Sequence, residues 1–138
     1  MSGEPDKEAT TPQPHILLVE DENQPFQDFL ELHHYQVTRV NNGQEALDLL
    51  QSGFKPDLIL TDFQMPQKDG IQLVKGIRQE LPELQTTPII LHSNRDRHQI
   101  PLSPEEEATL NLHIRRKTDF TDTTLTEINQ LLRPSPQP

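Results

Sequence analysis

The chain has 138 residues, a hydrophobic fraction of 31% and a formal charge of −10 from twelve basic and twenty-two acidic side chains. That length suits one domain, the acidity argues against a nucleic-acid-binding surface, and the lack of cysteine excludes disulfide and thiolate chemistry. No stretch approaches the ~20 apolar residues of a membrane span, and the N-terminus lacks a basic start followed by an apolar stretch, so the expected setting is cytoplasmic, away from membranes.

Residues 1–14, MSGEPDKEATTPQP, and 133–138, RPSPQP, are rich in Pro, Ser, Thr and charge, with almost nothing to bury. Both read as disordered tails around a domain at 15–132. Its first apolar run, Ile16 to Val19, predicts a strand, and Glu20-Asp21-Glu22 follow it directly. Phe26, Phe29 and Leu30, with Pro25 before them, mark a first helix whose aromatics read as core. A second strand is predicted from Tyr35 to Val40. Asn42 and Glu45 then form a start resembling a capping box ahead of Ala46, Leu47 and Leu50.

Leu58 to Leu60 reads as a buried third strand, with Asp62 at its mouth and a constrained Met65-Pro66, Asp69-Gly70 loop beyond it. Asp69 can cap a helix with the stripe Ile71, Val74, Ile77 and Leu81, which Pro82 stops. Ile89 to Leu91 is a fourth strand. Ser103-Pro104-Glu105-Glu106 joins an N-cap, a proline at the first helical position and a returning glutamate. A weaker fifth strand spans Leu112 to Ile114, and Leu125, Ile128, Leu131 and Leu132 share one face of a last helix. Gly43, Gly53 and Gly70 read as turn or cap residues. The alternation predicts an α/β domain with a parallel sheet covered by helices on both faces. No glycine-rich nucleotide cradle is present.

In such sheets ligands bind beyond the carboxyl ends of the strands. The residues there are Glu20, Asp21 and Glu22, then Asp62, then His92 and Ser93, then Lys117. Clustered carboxylates repel one another unless a cation lies between them, and a hard ion with oxygen ligands, Mg²⁺ above all, suits them. With a metal and the Lys117 ammonium beside it, Asp62 could act as a nucleophile toward a phosphoryl group and form an acyl phosphate. Each residue has a plainer reading. Glu20-Asp21-Glu22 alone would be a solvated turn, Ser93 a strand-end hydroxyl, and Lys117 one of three neighbouring basic residues. The six histidines read as surface or packing groups, since no His-x-x-x-His pair exists.

The segments ILLVEDE (16–22), NNGQEALDLL (41–50), PDLILTDFQMPQKDG (56–70), PIILHSN (88–94) and RRKTDF (115–120) resemble the receiver domain of two-component response regulators. The resemblance spans nearly all of 15–132. It implies a flavodoxin-like (βα)₅ fold with strand order 2-1-3-4-5. It places Asp62 on the phosphorylated aspartate, Glu20 and Asp21 on the acidic pair that holds Mg²⁺, and the Gln64 main-chain carbonyl on a further metal ligand. Ser93 falls on the switch hydroxyl and Lys117 on the phosphoryl-pairing lysine. It also implies a sensor histidine kinase or histidine phosphotransfer protein as donor. Output would pass to a downstream protein by contact or onward relay.

Several positions depart from the family pattern. The first helix is about a turn short, Asn94 replaces a small residue, Thr118 replaces a proline, and Ile114 stands where the family has an aromatic switch. Arg95 to Pro101 is a polar stretch leading to a short helix, and the usual Gly-Ala turn before the fifth strand is missing. These changes imply a remodelled output face. They also keep open a different class, a constitutive interaction module on a receiver scaffold. A phosphatase of the haloacid-dehalogenase type would want a second Asp where Gln64 stands.

Overall fold

A computed structural model describes residues 13–20, 26–63, 69–93, 99–116 and 122–132. Five strands, β1 (His15–Val19), β2 (Gln36–Val40), β3 (Leu58–Asp62), β4 (Ile89–Ser93) and β5 (Leu112–Arg116), run parallel in the order β2-β1-β3-β4-β5. Helices α1 (Phe26–Leu32), α2 (Gly43–Gln51), α3 (Gly70–Glu80), α4 (Pro104–Thr109) and α5 (Asp122–Leu132) alternate with them. This is the doubly wound, receiver-type fold expected.

The alternating side-chain directions of the strands build two cores. Leu17, Val19, Ile59, Ile89 and Leu91 face Ala46, Leu47 and Leu50 of α2 and Leu73, Val74 and Ile77 of α3. Ile16, Leu18, Leu58, Leu60 and Ile90 face Leu30 of α1 and Ile128 of α5. The three central strands are apolar on both faces because helices cover both. Phe26 and Phe29 pack against the second core, partly buried.

Local chemistry sets the helix ends. The Asp69 carboxylate accepts from the Gln72 amide while Gln72 accepts from the Asp69 amide, a complete capping box. Ser103 and Glu106 form the same pair on α4, with Pro104 at its first turn. At α2 the box is shifted: Asn42 accepts from the Glu45 amide at 2.8 Å, but Glu45 returns to Asn41 rather than to Asn42. Pro82 ends α3 and opens a 3-10 turn over Pro82–Leu84. The first helix is described over seven residues, Phe26–Leu32.

Two features lay beyond sequence reading. Ile100 and Leu102, at the end of the polar stretch before α4, are buried in the first core. Arg78 is a buried cation that donates to the carbonyls of Leu84, Thr87, Leu110 and Asn111 at 2.5 to 3.2 Å. Burial lowers its pKa from the ordinary guanidinium value. It pins the turn before β5, where Asn111 takes a left-handed φ of 52° in place of the missing glycine.

Candidate functional site

The carboxyl ends of β1, β3 and β4 hold the site. Glu20 lies one residue past β1, and its amide donates to the Val40 carbonyl at 3.1 Å, so the ladder to β2 continues through it. Asp62 is the last residue of β3 and Ser93 the last of β4. The apolar runs alone predict both just beyond their strands. Main-chain pairing persists there because the ladder does not depend on side-chain polarity: the Phe63 amide still donates to the His92 carbonyl at 2.9 Å.

Register and alternation then decide which side chains meet. Val19 pairs with Thr61, which brings Glu20 to the level of Asp62, and Asp62 pairs with His92. Glu20 continues the face of Ile16 and Leu18, Asp62 that of Leu58 and Leu60, and His92 that of Ile90, all on the α1/α5 side. Two carboxylates and an imidazole therefore stand side by side on adjacent strands. All three are buried, Glu20 at 2%, Asp62 at 7% and His92 at 2% exposure. Ser93, also buried, shares the rim and alternates with His92 along β4.

Like charges buried at neighbouring strand positions repel strongly in a low dielectric. A divalent cation with oxygen preference fits a rim of this composition, and Glu20 and Asp62 are the described residues that could help hold one. Among the described residues no group of three or more His, Asp or Glu is arranged as a complete metal site. Asp21, Gln64 and Lys117, the other expected site residues, lie outside the described residues, as do Asn94 and Thr118.

His92, expected as a surface or packing group, is buried, and its ring meets Phe26 of α1 edge-on at a centroid distance of 5.6 Å. Its place beside Asp62 went unseen because that depends on the β3–β4 register. Gly70 is likewise more than a cap. A β-carbon there would fall 2.5 Å from the Asp62 carbonyl oxygen and 2.5 Å from Leu91 Cδ1, so only glycine lets α3 approach the end of β3 this closely.

The comparisons with known proteins agree with this architecture. The sequence profile of the response regulator receiver domain matches residues 16–103. The polar-differentiation response regulator DivK of Brucella anthropi is 37% identical over 78 residues, covering 54% of this chain and 62% of that protein. The chain thus spans about three-fifths of that relative's length. The two-component response regulator ORR3 of Oryza sativa subsp. indica is 32% identical over 93 residues, 65% of this chain and 70% of that protein. A response regulator receiver protein from Sinorhizobium medicae, known as a crystal structure, superposes with a TM-score of 0.68 at 29% identity, over 88% of this chain and 96% of that one. The profile match stops at residue 103, short of the extent expected from the motifs, while the structural likeness takes in most of the chain. With its strand order, its rim of buried acids and these matches, the chain belongs to the response-regulator receiver family.

Proposed function

We propose that this receiver accepts a phosphoryl group on Asp62 from a histidine kinase or histidine phosphotransfer protein, with Mg²⁺ bound, and signals by contact with a downstream protein or by relay. The observation that carries the reading is the burial of Asp62 beside Glu20 at the carboxyl rim of a parallel sheet. In the transfer, an Asp62 carboxylate oxygen bonds to phosphorus as the P–N bond of the donor's phosphohistidine breaks. The departing imidazole keeps the electron pair and takes a proton from water.

Glu20, Asp21, Asp62 and the Gln64 main-chain carbonyl are the groups that would hold Mg²⁺, which when bound supplies positive charge to the transferring oxygens. Lys117 would pair with the phosphoryl oxygens, and Ser93 would donate its hydroxyl to one of them. Gly70 keeps α3 against the Asp62 main chain, and the Asp69 capping box fixes where that helix begins. Together they restrict the movement of the nucleophile's backbone. Among the described residues no helix is long and apolar enough to cross a membrane, and a cytoplasmic location is part of the proposal. A purely constitutive scaffold is less well supported, because such a module has no use for two buried acids at this rim.

Intact-mass measurement tests the reading. Incubation with acetyl phosphate and Mg²⁺ should add one phosphoryl group, and both EDTA and Asp62→Asn should prevent it. An unchanged mass after long incubation with saturating Mg²⁺ would refute the proposal.

A further inference from the structure

The register that sets His92 beside Asp62 also sets His92 beside Arg115, its Cα partner on β5. Arg115 in turn makes a bidentate pair with Glu127 of α5, its Nε donating to Oε1 at 2.7 Å and its Nη2 donating to Oε2. His113, two residues earlier on the same face of β5, approaches the same carboxylate at 3.6 Å. Asp62, His92, Arg115 and Glu127 thus form one polar row across β3, β4, β5 and α5.

We propose that this row, resting on Asp62 as the phosphorylated residue, carries the phosphorylation signal to α5. The opposite face of β5 presents Ile114, whose aliphatic side chain packs partly buried against the first core. It cannot act as a swinging aromatic ring. The α1/α5 face instead holds a cation with a choice of two anions. At rest Arg115 is engaged by Glu127. Conversion of Asp62 to an acyl phosphate adds negative charge and three projecting oxygens to the row, two strand spacings, or roughly 10 Å, from Arg115. A long guanidinium side chain drawn toward that charge loosens its hold on Glu127. His92 is buried and stands between the two by register, so the change passes along β4 at its position. Charge-assisted bidentate pairs have discrete partners, so the outcome is an exchange rather than a graded drift.

The pair lines a shallow surface cavity of about 420 Å³ with Thr126 and Gln130. Movement of Glu127 therefore alters an exposed face of the domain.

Amide hydrogen exchange of α5 in the full chain tests the relay, with the intact mass read in parallel. After acetyl phosphate and Mg²⁺, wild-type α5 amides should exchange at least about fivefold faster, the lower end of ordinary coupling between sites. Arg115→Gln and Glu127→Gln should each gain the same mass, exchange fast before phosphorylation and change little after it. A mass gain with no α5 response in the wild type, or a full response in either variant, overturns the relay and leaves phosphorylation standing. Absence of any mass gain overturns both.

Discussion

Gly70→Ala should destabilise the domain, whereas Gly76→Ala, in the same helix, should stabilise it. A β-carbon at Gly70 would lie 2.5 Å from the Asp62 carbonyl oxygen, 2.5 Å from Leu91 Cδ1 and 3.1 Å from Phe63 Cα. Unstrained contacts of these kinds lie at roughly 3.3–4.0 Å, so the helix start must retreat by about 1 Å. Retreat is opposed on both sides of the contact. The Gly70 amide donates to the Phe63 carbonyl at 2.8 Å, and the Thr61 hydroxyl donates to the Asp62 carbonyl at 3.0 Å. Leu91 is fully buried and has little room to turn. Overpacking of this kind costs about 1–3 kcal/mol, offset by at most about 1 kcal/mol of improved helix propensity. The net expectation is a loss of about 1.5 kcal/mol.

At Gly76 the added methyl would meet only Leu47 Cδ2 at 3.5 Å and Cδ1 at 3.7 Å, ordinary contacts, so the propensity gain of up to about 1 kcal/mol should survive. In urea, with a slope of about 1–3 kcal/mol per molar, the two midpoints should move in opposite directions by roughly 0.5–1 M. A Gly70→Ala protein as stable as the wild type would refute the argument that close approach of α3 to β3 requires glycine there.

Arg78→Met should cost about 2–4 kcal/mol in the same assay, because it removes the guanidinium donor from the carbonyls of Thr87, Leu110 and Asn111 and one of two donors from that of Leu84. Hydrogen exchange should quicken first in the turn before β5, and uniform quickening across the sheet would argue against a local staple. Mg²⁺ at about a hundred times its Kd should stabilise the wild type by roughly 2.7 kcal/mol, seen as a rise in Tm. Asp62→Asn should abolish most of that rise, and should itself melt higher than the wild type in EDTA because it removes one of two adjacent buried charges.

Much of the fold was legible because it is written in local chemistry. The Asp69–Gln72 and Ser103–Glu106 boxes are read over three residues, and apolar runs betray a sheet buried on both faces. Strand ends were less legible. Asp62 and Ser93 look like departures from the core, yet remain in the ladder because pairing is a property of the main chain. What depends on distant register could not be read at all. Arg78 serves carbonyls 6 to 33 residues away, and Gly70 is required by the backbone of Asp62 and Phe63 rather than by a turn. His92 lies at a strand end in PIILHSN, but only the pairing of β3, β4 and β5 puts it between an acid and a guanidinium. The acids of the rim were legible through the motif around them, which puts Asp62 and Glu20 at strand ends.

The most direct measurement is chemical trapping of the modified residue. Borohydride reduces an aspartyl phosphate to homoserine, which peptide mass spectrometry locates. After acetyl phosphate and Mg²⁺, homoserine should replace aspartate at position 62 and nowhere else. Conversion at another carboxylate, or none at all from protein shown to bind the metal, would contradict the assignment of Asp62 as the phosphoryl acceptor.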